Sequence, residues 1–308
     1  MIRNNILEAI GNTPLVRLNR MAGGDGAEVL VKFEGVNVGG SIKIRTAYNM
    51  VAEAEKQGRI KPDTIIVEPT SGNQGIGLAL VGAVRSYQVV IVMPDSVSEE
   101  RRKLMRQYGA EVILVKDNGN IGECIDACLK TALRMAEENP RVFVPQQFSN
   151  PNNNLAHKRH TALEILEQCG KPIHGFCSGI GTGGSISGIG EVLKAQNSGL
   201  RIWAVEPENA AILAGGTIGT HLQMGIGDGL IPENLNRDIY DHICVITDEE
   251  AIQTARDLAK YEGLLCGISS GTNVAAALKM AQELGKGKTV VTILPDTGER
   301  YFSTPLFD

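Results

Sequence analysis

Lys43 stands in a sequence context that could make its side-chain amine a nucleophile. It lies in the first turn of a helix predicted over residues 42–57, which Ser41 could cap and Gly58 could end. The partial positive charge at a helix N-terminus disfavours a nearby ammonium group. A lysine held there loses its proton more easily, and a neutral amine can attack a carbonyl. The simpler interpretation is an exposed surface lysine. Motifs elsewhere in the chain distinguish the two interpretations.

Two further segments have the composition of anion-binding loops. Residues 68–75 follow a predicted strand and begin a helix, so the hydroxyls of Thr70 and Ser71 and the free amides there suit a carboxylate. Helix capping alone would explain the same residues. Residues 178–185 combine glycines with hydroxyls that could cradle a phosphate. They lack the lysine of a P-loop and the spaced glycines of a dinucleotide fingerprint, which favours a compact monophosphate.

Two more loops, residues 225–232 and 266–271, are too rich in glycine for plain connectors, which predicts close approach to something bound. A nucleophilic lysine, a phosphate cup, an anion loop and a hydroxyl-bearing loop together indicate pyridoxal 5′-phosphate (PLP). No metal site is predicted, because no His or Cys pair complements Cys124 and Cys128.

The elements that must position these loops alternate between apolar strands and helices. This pattern predicts an α/β fold of two doubly wound, mainly parallel-sheet domains, with the ligand in the cleft between them at the strand ends. Strands are predicted at residues 27–33, 64–67, 88–93, 111–115, 141–144, 175–177, 201–205, 244–246 and 289–294. Helices are predicted at residues 75–87, 98–108, 121–138, 158–168, from 185, 248–261 and 272–284.

The composition is that of an ordinary globular protein, with 308 residues, 43% hydrophobic and 21% charged. The net charge of −5 argues against nucleic-acid or anionic-membrane partners. No apolar run reaches membrane-spanning length, and residues 1–5 carry no apolar signal segment. Six scattered cysteines predict free buried thiols and a cytoplasmic protein.

The chain resembles the cysteine synthase and cystathionine β-synthase family of fold type II PLP enzymes, from residues 11–15 to residues 298–301. The motifs that carry the resemblance are Ser41-Ile42-Lys43, Thr70-Ser71-Gly72-Asn73, Gly181-Thr182-Gly183-Gly184-Ser185 and Gly267-Ile268-Ser269-Ser270-Gly271. The resemblance implies a smaller mobile domain over residues 37–148, a larger PLP-binding domain over 1–36 plus 149–308, and a homodimer.

By the same resemblance, Lys43 would form the Schiff base, Asn73 would bond the 3′-oxygen of PLP, and Ser269 would face the pyridine nitrogen. The phosphate would be held by Gly181, Thr182, Gly183, Gly184 and Ser185. The substrate would be bound by Thr70, Ser71, Gln74 and Gln147. The implied chemistry is β-replacement. A group leaves Cβ of an amino acid, an α-aminoacrylate forms, and a second nucleophile adds, with Lys43 moving the α-proton.

Four positions depart from the usual family pattern. Val38 replaces a proline, Ile44 an aspartate, Gln74 a threonine and Asp228 an alanine. Asp228 could deprotonate a weak nucleophile such as water, which predicts a cysteine-consuming enzyme that releases hydrogen sulfide and makes serine, or that adds a thiol. A solvated loop aspartate is the simpler interpretation.

Several alternatives stay open at this stage. Within the family they are O-acetylserine sulfhydrylase and cystathionine β-synthase, with Ser/Thr dehydration less well matched. Outside it they are a nicotinamide-binding Rossmann protein, disfavoured by the missing fingerprint, and a non-catalytic scaffold relative.

Overall fold

The computed structural model describes residues 2–119 and 121–308, which form a four-stranded and a six-stranded sheet with helices on their faces. The strands are β1 (Leu15–Arg17), β2 (Glu28–Phe33), β3 (Ile65–Pro69), β4 (Gln88–Pro94), β5 (Glu111–Val115), β6 (Val142–Phe143), β7 (Gly175–Gly179), β8 (Arg201–Pro207), β9 (His242–Ile246) and β10 (Thr289–Leu294). The helices are α1 (Lys43–Lys56), α2 (Asn73–Arg85), α3 (Glu99–Gln107), α4 (Ile121–Glu138), α5 (Asn152–Ala156), α6 (Ala162–Cys169), α7 (Gly184–Gln196), α8 (Asp248–Asp257) and α9 (Ile268–Leu284).

The sheets are almost entirely parallel. The four-stranded sheet has the order β5-β4-β3-β6, and the six-stranded sheet has the order β1-β2-β10-β7-β8-β9. Strand β1 runs antiparallel to β2, and the other neighbouring pairs run parallel. The predicted fold class is confirmed.

Each sheet buries both of its faces. In β4, Ile91 and Met93 pack in one apolar cluster with α1 and α2, while Val90 and Val92 pack in another with α4. In β8, alternate residues likewise enter two different clusters. This is why the strands read as continuous apolar runs in the sequence. The four-stranded sheet is drawn from within residues 37–148, and the six-stranded sheet from the rest of the chain; the domain bounds themselves stay a prediction.

The start of α1 differs from the sequence prediction. Ser41 does not cap the helix through its side chain; it is extended and forms an antiparallel bridge with Asp296. The backbone N–H of Ile42 also donates to the carbonyl of Pro295 at 2.8 Å. The C-terminal segment therefore fixes the entry to α1. The other end is as predicted, with Gly58 in the left-handed conformation just past the helix.

Gly271 lies inside α9, which begins at Ile268 and not at residue 272 as predicted. A Cβ on Gly271 would lie 1.9 Å from the carbonyl oxygen of Ala251 in α8. Similarly, a Cβ on Gly267 would lie 2.2 Å from Asp296 Oδ1. The glycines of the loop 266–271 are thus required by packing within the protein. The close approach to a ligand stays a prediction at these two positions.

All six cysteines are free thiols, as predicted. Five of them are buried, whereas Cys169 is partly exposed, contrary to the expectation of uniformly buried thiols. Within the described residues, no helix combines the length and apolar character needed to cross a membrane.

Candidate active site

The predicted site residues meet in one cleft, between the C-terminal ends of β3 and β7. Parallel strands present their following loops at one edge of a sheet. The loop after β3 lies at that edge of the four-stranded sheet and the loop after β7 at that edge of the six-stranded sheet, and both line the cleft together with Lys43 at the start of α1. The predicted residues that line this cleft are Lys43, Thr70, Ser71, Asn73, Gln74, Gln147, Gly181, Thr182, Gly183, Ser185, Asp228 and Ser269. Gly184 lies just behind the lining, as the first residue of α7.

Lys43 points across the cleft toward the glycine-rich loop. Its Nζ lies 3.4 Å from Thr182 Oγ1. Burial lowers the pKa of Lys43 to about 8, although the charges of Asp228 and Glu68 act in the opposite direction. Lys43 is the lysine that the sequence analysis singled out, and it lines the cleft. The pKa of Lys43 is lowered mainly because its amine is removed from solvent. The sequence analysis had attributed the lowering to the helix N-terminus.

The loop after β3 presents its polar groups at the start of α2. The Oγ1 of Thr70 accepts the N–H of Gly72 at 3.2 Å, which shapes the turn. Gln74 is buried, and its Oε1 accepts a hydrogen bond from Thr46 Oγ1 at 2.8 Å while its Nε2 has no partner. An unpaired buried amide at the wall of a cleft is a group suited to a bound acceptor.

Asn73 is tied to the C-terminal segment. Its Nδ2 donates to Asp296 Oδ2 at 2.6 Å, and its Oδ1 accepts from the guanidinium of Arg300. The Asp296 carboxylate also accepts the hydroxyl of Tyr301 at 2.7 Å. These partners fix the orientation of the amide. One N–H of Asn73 remains to donate to a cofactor, while its Oδ1 already accepts from Arg300 and keeps one further lone pair.

The glycine-rich loop after β7 packs closely against later segments of the chain. A Cβ on Gly181 would lie 2.4 Å from the carbonyl oxygen of Gly225, and one on Gly183 2.8 Å from the backbone nitrogen of Leu235. The loop leads into α7, and the first backbone N–H groups of this helix lie at its end next to the loop. The hydroxyl of Thr182 accepts from Asn153 Nδ2 at 3.0 Å. Together with Lys43 opposite, these residues fit the phosphate and aldehyde ends of PLP.

His157 is a contributor that the sequence analysis missed. It is buried, its Nε2 lies 3.3 Å from Ser185 Oγ, and its Nδ1 lies 3.0 Å from Thr161 Oγ1. Burial lowers the pKa of His157 to about 3, so the ring is neutral and orients the Ser185 hydroxyl without adding charge. The residue begins a π-helical turn, His157–Thr161, one residue before the α-helix predicted over residues 158–168.

Glu68 is a second contributor that the sequence did not single out. Its carboxylate is fully buried at the end of β3 and accepts the backbone N–H groups of Gln146 and Gln147, both at 2.8 Å. Burial raises the pKa of Glu68 to about 7. Gln146 has a φ of 58°, which is unusual for a residue with a side chain. Glu68 therefore clamps a strained turn that holds Gln147 at the cleft.

Asp228 lines the cleft together with Lys43. Burial raises the pKa of Asp228, and the charges of Lys43 and His221 oppose that rise. By surface exposure the residue is half-buried, neither fully solvated nor sequestered. A carboxylate with a raised pKa beside a lysine is a candidate acid–base group. Among the residues that the structure describes, no cluster of three or more His, Cys, Asp or Glu could hold a metal ion.

The fold and this site define a PLP-dependent enzyme. The chain belongs to the pyridoxal-phosphate dependent enzyme family, whose model matches residues 6–296. It is 48% identical to a cysteine synthase of Staphylococcus aureus over 305 residues, which is 99% of this chain and 97% of that protein. The predicted family, PLP requirement and β-replacing enzyme class are confirmed.

Solved structures agree with this assignment. O-ureido-L-serine synthase superposes with a TM-score of 0.95 at 43% identity, covering 100% of this chain and 96% of that one. A hydrogen sulfide-producing enzyme from Fusobacterium nucleatum superposes with a TM-score of 0.92 at 43% identity, covering 98% and 100%. The chain is thus similar over its whole length to proteins whose names describe different reactions.

Proposed function

We propose that this protein takes L-cysteine as its first substrate, releases hydrogen sulfide, and adds water or a thiol at Cβ. With water the overall reaction is L-cysteine plus water giving L-serine plus hydrogen sulfide. The Cβ–S bond breaks, a Cβ–O bond forms, and the proton of water leaves with the sulfide. The observation that carries the proposal is Asp228, a half-buried carboxylate of raised pKa that lines the same cleft as Lys43.

Bound PLP would supply the electron sink for removal of the α-proton. The loop of Thr70 and Ser71, with Gln147 beside it, would bind the substrate carboxylate. Lys43, with a pKa near 8, would take the α-proton and return it to Cα after the second nucleophile has added. Asp228 would take the proton of the incoming nucleophile. Its raised pKa makes it a stronger base than an ordinary aspartate.

The choice of nucleophile follows from acidity. Sulfide and thiols ionise near neutral pH, so they need little help from a base, whereas water needs much. A carboxylate at position 228 is therefore most useful for water. The similarity to a hydrogen sulfide-producing enzyme supports a cysteine-consuming reaction.

The proposal is tested with Asp228→Asn and L-cysteine as the sole substrate, with serine and sulfide measured by mass spectrometry and a colorimetric assay. We expect serine formation to fall by roughly 10²–10³-fold, because general-base catalysis contributes an effect of that order. Thioether formation with 2-mercaptoethanol should fall much less. The matched control is Glu233→Gln, which removes one charge from an exposed position on the same segment. Serine release at the native rate by Asp228→Asn would show that the proposed base is wrong.

A second candidate is cysteine synthesis from O-acetylserine and sulfide, which the 48% identity to a cysteine synthase supports. The purified enzyme is mixed with L-cysteine alone and, separately, with O-acetylserine plus sulfide. Cysteine as the dominant product, with no serine from the first mixture, would favour the second candidate. The homodimer and the cytoplasmic location stay predictions.

A further inference from the structure

Arg101 is a buried arginine on α3 that reaches the catalytic cleft from its side. Only 3% of its surface is exposed. It packs directly on the loop after β3, since a Cβ on Gly72 would lie 2.5 Å from Arg101 Cδ. It lines both the cleft and a neighbouring side cavity, and Met224 and Asp228 line the same two spaces. Arg101 thus stands where the cleft opens into the side cavity.

The guanidinium of Arg101 is not matched by an anion. Its Nη1 contacts the thioether sulfur of Met224 at 3.0 Å, and its Cζ lies 5.0 Å from the ring centroid of Tyr301. Its Nε has no hydrogen-bond partner. Across residues 2–119 and 121–308, no carboxylate comes within ion-pair distance of it. A thioether is a weak acceptor, and buried arginines are usually paired, so donors are left over for a ligand.

Besides Arg101 and Asp228, the ionisable side chains around the side cavity already have hydrogen-bond partners. The Asp117 carboxylate accepts the hydroxyl of Ser96 at 2.6 Å and the N–H of Gly119 at 2.9 Å. His221 Nε2 lies 3.0 Å from the carbonyl oxygen of Gly227, and its Nδ1 accepts the N–H of Gln223 at 3.1 Å. Arg101 is therefore the lining residue, within the described part of the chain, that presents a charge with spare donors.

We propose that Arg101 binds the carboxylate of a second substrate, namely a short thiol that carries a carboxylate. This rests on the function proposed above. Such a thiol would place its carboxylate on the guanidinium, which can donate two parallel hydrogen bonds, and its S–H toward Asp228. In the step, a Cβ–S bond to the incoming thiol forms, the Cβ–S bond to the leaving sulfide breaks, and the thiol proton leaves with the sulfide. The products are a thioether amino acid and hydrogen sulfide.

The test compares two thiols of similar size in the PLP-loaded enzyme with L-cysteine as first substrate. Mercaptoacetate carries a carboxylate, and 2-mercaptoethanol carries a hydroxyl in its place. We measure kcat/KM for thioether formation with each thiol in the wild type, Arg101→Gln and Arg102→Gln. The ratio of mercaptoacetate to mercaptoethanol should fall about ten-fold or more in Arg101→Gln, because a hydrogen bond to a charged group is worth about that factor. Arg102→Gln, the adjacent arginine that does not line the cleft, should keep the wild-type ratio.

Arg101→Lys keeps the charge and loses the planar fork, so it should retain part of the preference and covers the case in which Arg101→Gln does not fold. A second readout is calorimetric binding of mercaptoacetate in the presence of saturating L-alanine, which has no leaving group at Cβ. Its Kd should rise about ten-fold in Arg101→Gln.

An equal loss with both thiols in Arg101→Gln would overturn the inference, as would the absence of thioether from either thiol while serine is still made. Formation of neither serine nor thioether would instead contradict the proposed function.

Discussion

Helix α1 contains two cationic residues whose surroundings differ: carboxylates contact one of them and not the other. Arg45 enters a buried, fully paired cluster. Its Nε lies 2.8 Å from Glu34 Oε2, its Nη1 lies 2.7 Å from Glu164 Oε1, and Lys32 Nζ lies 2.8 Å from Glu164 Oε2. Burial alone would raise the pKa of Glu164, but hydrogen bonds from Arg45 and Lys32 lower it to about 2. Every charge in this cluster has a partner.

Lys43, two residues earlier, enters the cleft, where burial is not compensated by contact with a carboxylate. The pKa of Lys43 falls to about 8, and the pKa of Asp228 rises. Both groups are moved toward the neutral form, in which a lysine can accept a proton. The comparison shows two consequences of burial. A buried charge with an opposite charge beside it stays ionised and stabilises the fold, whereas a buried group without such a partner has its pKa shifted toward the neutral form. Arg101 resembles Lys43 in being buried without a carboxylate partner.

The largest expected effect is at Lys43. Lys43→Ala should lower hydrogen sulfide release from L-cysteine by at least about 10⁴-fold, because the amine proposed to move the α-proton is lost. The free energy of unfolding of the cofactor-free protein should stay equal or rise, since an unpaired buried amine is removed. Sulfide assay and chemical denaturation measure the two effects. A variant that keeps turnover within ten-fold of the wild type would break the distinction between the two regions.

Arg45→Met should have the reverse profile. It leaves the buried Glu34 carboxylate without its guanidinium, so the free energy of unfolding should fall by about 3–5 kcal/mol. Turnover per folded molecule should fall far less than in Lys43→Ala. The control is Lys56→Met, which removes an exposed partner of Glu53 on the same helix and should cost less than about 1 kcal/mol. Urea denaturation of the two variants gives both values. A loss below 1 kcal/mol in Arg45→Met would show that the cluster is not needed for stability.

Local patterns in the sequence were sufficient to predict several of the strands and helices. Strands β5 and β10 and helix α4 have the predicted bounds, because apolar runs and helical spacing act over neighbouring residues. Lys43, singled out from its position after two glycines at a helix start, lines the cleft. These features depend on short-range chemistry.

The features that were missed depend on distant partners. Gly271 looked like a loop residue, but it lies in a helix, and α8 packs so closely against it that a side chain would not fit. The orientation of Asn73 is set by Asp296 and Arg300, more than 200 residues later. In the sequence, Glu68 is only a polar residue at the end of a strand. Its hydrogen bonds with the backbone N–H groups of residues 146–147 become visible only in the folded structure.

The smallest expected effect is the electrostatic influence of Asp228 on Lys43. The charge of Asp228 raises the pKa of Lys43 against the larger effect of burial, so Asp228→Asn should lower that pKa below its value near 8. A lysine amine reacts with acylating reagents only when deprotonated, so its labelling rises with pH through the pKa. At pH 7 the variant should therefore label faster than the cofactor-free wild type, by roughly two- to five-fold.

The measurement is the rate of acetic anhydride labelling of the peptide that contains Lys43, followed by mass spectrometry over a series of pH values. Glu233→Gln again serves as the control for a lost charge outside this pair. An unchanged midpoint in Asp228→Asn would mean that the two groups do not interact in solution. A higher midpoint would reverse the sign of the interaction. Either result would remove the argument that the cleft keeps an acid and a base close together but unpaired, which separates it from the cluster around Arg45.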